Sequence, residues 1–483
     1  MSIASRTFAS GLVGALLAGC AVGPEYQQPD LAAPAQFQNR QGIDQRQAAP
    51  AADLVSWWQG FGDPLLTQLV TQALADNLDI AQALARVSQS RAALQFATAA
   101  LLPSGEVSAQ AARAHLSLQT PQGRLLDAIP GFDRNGGYYE AGIGAGWEID
   151  VFGGQRRDRE AAIAEYQASR AGIAAARLAV AAQTADLYVG IRGLQARLAI
   201  ANQQAETQRR LLSTIKLQYE AGVAAELQMR QAEGALAQVE AGIPVLEAAL
   251  ESVSNALDVL LGTQPGTHRA ELSLPSPIPV APMIADAGGP ADLIRRRPDL
   301  IVAERRLAAS NARIGAAISE YYPKLSLSGL LGTATTVSGN LFDGGAGQAR
   351  AMLGLRWRIF DFVRVDAEIA AARGRNAESL AAYKLSVLRA SQDVEDAFSM
   401  LVRREAQASS LASGETSYVR ARDASLAAYK GGVVSLIEVL DADSRLLATR
   451  DARAQAQTEA ARAAIASFRA LGGGWNPAEN TGS

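Results

Sequence analysis

Three carboxylates stand close together late in the chain. Glu438, Asp441 and Asp443 lie on "YKGGVVSLIEVLDAD", just after Gly431 and Gly432. If that run is helical, Glu438 and Asp441 are three apart and share a face. Repeated around a symmetry axis, such side chains form a ring of like charge, and rings of Asp or Glu favour and hold cations. The bland alternative is a solvated helix face. Other reactive side chains are sparse. Cys20 is the only cysteine in 483 residues, so no internal disulfide forms. His115 and His268 are isolated, which leaves no metal cluster and no His-based triad. Gly142-Ile143-Gly144-Ala145-Gly146 has the composition of a nucleotide loop, but it lies inside an alternating strand rather than between strand and helix. The run Arg295-Arg296-Arg297 before Pro298 reads as a helix entry making surface ion pairs. No catalytic constellation is present, and the expectation is that this is not an enzyme.

The N-terminus gives the compartment. "MSIASRTFASGLVGALLAGC" carries one positive charge, Arg6, then an apolar run from Phe8 to Ala18. That run is too short to span a bilayer and reads as a secretory signal peptide over residues 1–19. It ends in Leu17-Ala18-Gly19-Cys20, which resembles the lipobox of bacterial lipoproteins. The small residues fit a peptidase, and the thiol is the nucleophile that takes a diacylglycerol. Cys20 is therefore the lipidation candidate, and covalent lipid is the only added group expected, with no cofactor and no metal. Residue 21 is Ala rather than Asp, which by the bacterial sorting rule implies the outer membrane. A formal net charge of −3 leaves no nucleic-acid footprint. Past the signal peptide there is no stretch of about 18 apolar residues, so a membrane would have to be entered as strands.

The elements that must position these residues come in two copies. "NLDIAQALARVSQSRAALQFATAALLPSGEVS" from Asn77 matches "RPDLIVAERRLAASNARIGAAISEYYPKLSLSG" from Arg297, and Pro103 pairs with Pro323. Trp147 then pairs with Trp357, Tyr219 with Tyr429, and Gly222 with Gly432, in the same order. A repeat this long means one supersecondary unit used twice. Each unit reads as helix, two strands, a very long helix and a shorter one. Residues 65–101 contain no Pro or Gly, and Pro103 stops that helix. From Gln155 a helix can run to about Glu220, where Gly222 turns it; about 65 residues make a rod of about 100 Å. Leu187, Ile191, Leu194, Leu198, Ala201, Ala205, Gln208, Leu212, Ile215 and Tyr219 step by four and three, a coiled-coil seam with one polar interruption.

The strands read as two hairpins, 104–115 with 138–151 and 324–336 with 348–361. In "YYEAGIGAGWEIDVFGG", Tyr139, Ala141, Ile143, Ala145, Trp147, Ile149 and Val151 fall on one face, with Glu140, Gly142, Gly144, Gly146, Glu148 and Asp150 on the other. Coiled-coil rods offer no second sheet to cover the apolar face; the alternative is two soluble hairpins packed on helices. An open sheet edge inside hydrocarbon costs several kcal/mol for each unpaired backbone group, so a sheet in lipid must close. Membrane barrels start near 8 strands. Four strands per chain therefore imply sharing: eight, twelve or sixteen for a dimer, trimer or tetramer.

Taken together, "CAVGPEYQQP", "WWQGFGDPLLTQLVTQALADNLDI", "GWEIDVFG", "LLGTQPG", "LIRRRPDLIVAERRL" with "YYPKLSLSG", "YKGGVVSLIEVLDA" and "FRALGGGW" resemble the outer membrane efflux proteins. These are the TolC-like outer membrane factors, and the match is to their NodT-type lipoprotein branch. One departure is "FDFVR" at Phe360 to Arg364, where the family more often has a Gly-rich turn. The resemblance implies an α+β membrane protein: a long α-helical coiled-coil barrel plus a transmembrane β-barrel shared by three chains, built from two internal repeats. On that reading residues 20–64 are a lipidated equatorial segment, 65–262 the first repeat, 263–290 an equatorial linker, 291–471 the second repeat and 472–483 an equatorial tail.

The implied function is a passive exit duct of a tripartite pump for drugs or other small molecules. The implied partners are a periplasmic adaptor and an inner-membrane transporter of RND type. A duct for protein secretion and a lipid-anchored periplasmic scaffold remain the alternatives. The family closes its periplasmic end near the turn between the last two helices, which makes Glu438, Asp441, Asp443 and Tyr429 gate candidates. The same comparison makes Gly222, Gly431, Gly432 and Tyr219 the candidate helix-turn tips where the adaptor docks.

Overall fold

The computed structural model describes residues 21–31, 34–46, 51–274, 276–284 and 288–476. The signal peptide and Cys20 lie outside the described residues. The first repeat runs α1 (Pro64–Asp76), α2 (Leu78–Ala99), β1 (Ser104–His115), β2 (Asn135–Ile149), α3 (Gly154–Glu220) and α4 (Glu226–Leu260). The second runs α5 (Pro290–Arg296), α6 (Pro298–Ser319), β3 (Lys324–Thr335), β4 (Gly347–Arg356), α7 (Phe362–Lys430) and α8 (Leu436–Ala470). The order repeats, as the sequence duplication requires.

The expected single helix over 65–101 is broken at Asn77, whose backbone is extended at φ −66, ψ 132. Its Oδ1 accepts from the Asp79 and Ile80 amides at 2.8 and 3.1 Å, and its Nδ2 donates to the Leu260 carbonyl at 2.8 Å. An Asn side chain that caps a new helix competes with helix continuation.

The described residues divide into two compact units: those within 21–29, 87–168 and 304–382, and those within 30–86, 169–303 and 383–476. The first holds one antiparallel sheet in the order β1-β2-β3-β4. Register sorts its faces. Val107, Ile143 and Leu331 lie in one row, and Trp147, Leu327 and Leu353 in another, all on one side. Glu106, Gly144 and Arg350, and Ser108, Gly142, Gly332 and Gln348, lie on the opposite side, with Leu330 among the polar rows. The apolar side is bare: Val107 is 81% exposed and Leu353 71%. Gly142 and Gly332 face each other closely enough that a Cβ on Gly332 would overlap the Gly142 backbone.

The structure shortens the fourth strand. The alternation predicted strand over 348–361, but β4 ends at Arg356. Residues 21–29 also belong to this unit rather than to the equatorial segment assigned to them. The Val22 amide donates to the Phe152 carbonyl at 3.1 Å, Arg157 Nε donates to the Val22 carbonyl at 3.1 Å, and the Tyr26 hydroxyl donates to Glu304 at 2.5 Å.

The second unit is helical. Its core gathers Trp57, Trp58 and Phe61, the buried face of α1, and segments of α3, α7 and α8. Trp57 stacks on Phe468, with centroids 5.5 Å apart and planes 7° apart. Asp63 caps α1 through the Leu65 and Leu66 amides and accepts the Tyr188 hydroxyl at 2.5 Å. Burial, then that hydrogen bond, pushes the Tyr188 phenol up to about 12. Three segments named equatorial meet here: Ala51–Ala52 pairs in parallel with Met283–Ile284, and the Gly474 amide donates to the Leu54 carbonyl at 2.7 Å. Arg297 bonds Asp299 and Asp393 at 2.8 and 3.0 Å, the ion pairing expected of the Arg run.

Candidate functional site

The turns between α3 and α4 and between α7 and α8 share one backbone. The Gly222 amide donates to the Tyr219 carbonyl and the Val223 amide to Gln218, at 2.9 and 2.8 Å; Gly432 and Val433 repeat this on Tyr429 and Ala428, both at 2.9 Å. Gly222 and Gly432 both sit at φ 72, the left-handed conformation that ends a helix without a Cβ penalty. Gly431 is different. Its amide still donates to Ala427 as in a helix, and Ala221 fills its place in the first turn. The reversal rests on Gly432 alone, not on the glycine pair.

A small apolar cluster holds the turns together: Leu212, Ile215, Ala232, Leu436 and Val439, with Leu426 and Tyr429 against it. The predicted seam is buried from Ala205 through Gln208 and Leu212 to Ile215 and ends at exposed Tyr219. Tyr429 reaches the other turn, its hydroxyl donating to Gln218 Oε1 at 3.4 Å. A groove of ≈ 830 Å³ lies between the ends of α3 and α7, with Arg210, Arg422 and Lys430 on its walls.

The three carboxylates separate into two environments. Glu438 and Asp441 are exposed, and Asp441 bonds Arg445 one turn on at 2.8 Å. Among the described residues Glu438 makes no ion pair. Asp443 is buried at 3% exposure and accepts from Gln208 Nε2 of α3 at 3.4 Å. Gln208 is the polar interruption in the seam, and Asp443 is what faces it. Burial raises the Asp443 carboxyl above its ordinary range, against the pull of Arg422 and Arg450. Asp443 therefore leaves the expected set: the turn brings Glu438 and Asp441 together on an open face and packs Asp443 inside.

Charged pairs tie the surrounding helices. Arg197 bonds Asp451 at 2.7 Å and Arg462 bonds Asp186 at 2.6 Å, both between α3 and α8. Arg450 and Arg453 hold Glu415 between α8 and α7 at 3.0 and 2.8 Å, which lowers its carboxyl despite partial burial. Each exposed pair is worth about 0–1 kcal/mol, so they fix helix register more than stability. His268 bonds buried Asp258 at 2.6 Å, a loop tie; among the described residues no group of side chains could hold a metal ion.

The outer membrane efflux protein family model matches residues 69–263 and 289–473, which covers both repeats. This chain belongs to the outer membrane efflux protein family. Nodulation protein T of Rhizobium leguminosarum bv. trifolii is 30% identical over 97% of this chain and 97% of its own length. Outer membrane protein OprJ of Pseudomonas aeruginosa is 31% identical over 96% and 95%. The solved outer-membrane channel OprN aligns with a TM-score of 0.85 at 32% identity, over 94% of this chain and all of that one. As a family member the chain contributes to an outer-membrane exit duct for efflux. Its four-stranded sheet is its share of a β-barrel, and its long paired helices are its share of a helical barrel. The family is one of ducts.

Proposed function

We propose that three copies of this chain close into one channel that carries drugs or other small molecules out through a tripartite pump. Four strands from each of three copies make a 12-stranded barrel, within the size range of membrane barrels. The observation that carries this reading is the sheet: one bare apolar face, one polar face, and two outer edges with no strand beside them among the described residues. Hydrocarbon satisfies the face but not the edges. The duct is passive. A periplasmic adaptor and an inner-membrane transporter of RND type supply coupling and energy, and the adaptor docks in the cationic groove beside Gly222 and Gly432, where Tyr219 is exposed.

Cys20 carries a covalent lipid. The residue after it supports this: Ala21 lies against Gly153, at the junction where β2 hands over to α3. An acyl chain attached there enters the bilayer at the level where the strands do. The periplasmic gate is lined by Glu438 and Asp441 of α8, repeated around the axis, with Tyr429 bracing the turn behind them.

The test is oligomeric mass in detergent combined with planar-bilayer conductance on the same sample. A trimer that conducts is the expected result. A stable monomer, or an assembly that never conducts, ends the reading and favours a lipid-anchored scaffold.

A further inference from the structure

The polar face of the sheet carries an acid and a base in one row, with no partner for either. Glu106 of β1, Gly144 of β2, Leu330 of β3 and Arg350 of β4 are successive register partners across the four strands. The next residue on each of the first three strands, Val107, Ile143 and Leu331, makes the matching row on the apolar face. Ile143 is 62% and Leu331 67% exposed there. The charged row therefore backs directly on the barest apolar row, and where that row meets hydrocarbon the charges lie at membrane depth. Neighbouring strands are about 4.8 Å apart, so about 14 Å of sheet separates the Glu106 and Arg350 backbones. Among the described residues neither side chain has a hydrogen-bond or ion-pair partner.

Between the two charges the surface is hollow. A Cβ on Gly144 would lie 3.6 Å from Glu106 Cγ, and one on Gly146 would meet nothing within 4 Å. A groove of ≈ 510 Å³ runs there over Gly144, Gly146, Leu330 and Met352, with Glu106 and Arg350 among its lining residues. The other charges on this face stand apart. Glu140, two rows away, is held by Gln348 Nε2 and by the Tyr138 hydroxyl, each donating at 2.9 Å. Glu148, Lys324 and Arg356 lie toward the helical end of the sheet. An ionisable side chain at membrane depth is kept where it is paired or faces a water-filled cavity. Glu106 and Arg350 are not paired within the copy, so the groove must open on water.

We propose that Glu106 and Arg350 set the charge selectivity of the duct within the membrane, as opposed members of one row. This rests on the reading that the polar face lines the lumen, and it holds for any number of copies. A ring of one sign selects by favouring the other sign. Here each copy adds one acid and one base, so the row has no net charge and passes ions of both signs. What it presents to cargo is a field across the lumen. A small molecule that carries both a cationic and an anionic group finds a partner for each, and its apolar part crosses Leu330 and Met352. The same row offers a singly charged molecule one attraction and one repulsion.

The test is the reversal potential of the full-length protein in planar bilayers under a potassium chloride gradient. It is run at low salt, where a charge acts over about 10 Å. Glu106→Gln should shift permeability toward anions and Arg350→Gln toward cations, each by at least about twofold. The double variant should return near the parent. In about 1 M salt screening shortens to about 3 Å, and both shifts should vanish. Charged thiol reagents give a second readout, with the parent, bearing Cys20 alone, as control. Glu106→Cys leaves Arg350 in place and should react faster with an anionic methanethiosulfonate; Arg350→Cys should react faster with a cationic one. Unchanged reversal potentials in variants that conduct overturn the proposal. So does failure of either cysteine to react in a conducting channel, because its side chain then does not face the water. A parent that never conducts overturns the channel reading itself, and this proposal with it.

Discussion

At the residue scale, the separation of Asp443 from Glu438 and Asp441 makes opposite predictions for neighbouring acids. Replacing Glu438 and Asp441 with Ala should raise conductance and weaken block by divalent cations, because a ring of like charge holds cations. Asp443→Asn should leave block unchanged and alter stability. Its buried carboxyl is raised, so between the unfolded and folded values the native state binds the extra proton. Stability then falls as pH rises through the folded value. Relative to the parent, Asp443→Asn should gain thermal stability near neutral pH, and the gain should shrink toward the carboxylate range. Melting curves across pH read this; a constant offset would refute it. The sequence could place Glu438 and Asp441 on one face from spacing alone. It could not bury Asp443, because that depends on which side of α8 meets Gln208, a contact 235 residues away.

At the element scale, the turns and the α3–α8 packing carry separate tests. Gly432→Ala should cost about 1–2 kcal/mol, since a Cβ is strained in the left-handed region, while Gly431→Ala should be nearly silent. Comparing the two by denaturation, with hydrogen exchange at the turn, tests the assignment of the reversal. In α3, a Cβ on Gly193 would run into Thr458 of α8, whose hydroxyl is tied to the Ala454 carbonyl at 2.7 Å. Gly193→Ala should therefore destabilise by roughly 1–3 kcal/mol, as overpacking does, and Thr458→Ala should restore much of the loss. The long helices were legible because 3.5-residue periodicity accumulates over many turns. The break at Asn77 was not, since one capping Asn in an Ala- and Leu-rich run does not reveal whether its side chain caps or faces solvent.

At the scale of the molecule, alternation and duplication together made the architecture readable. The strands alternate with nothing to cover their apolar face, Val107 and Leu353 being 81% and 71% exposed, and their count is too low to close alone. What stayed hidden was the end of β4 at Arg356: the alternation runs on to Ile359, but the chain already turns there, the Asp361 amide donating to the Arg358 carbonyl at 3.3 Å before α7 begins. The whole-chain prediction for the anchor is direct: Cys20→Ser should abolish metabolic lipid labelling while the protein still assembles through its strands. Label persisting on the variant would remove the anchor from Cys20.

The matched turns have an asymmetric outcome. Where α8 carries Glu438 and Asp441, the same places on α4 carry Gln228 and Gln231, and Gln228 spends its amide oxygen on the Ala225 backbone at 3.1 Å. One scaffold thus presents an amide-bearing finger and an acid-bearing finger in alternation. An aperture ringed by both has acids on only every second finger, and only those are repelled by their like. Grafting acids onto the amide fingers would even out that contrast, and such a variant should leak ions at rest.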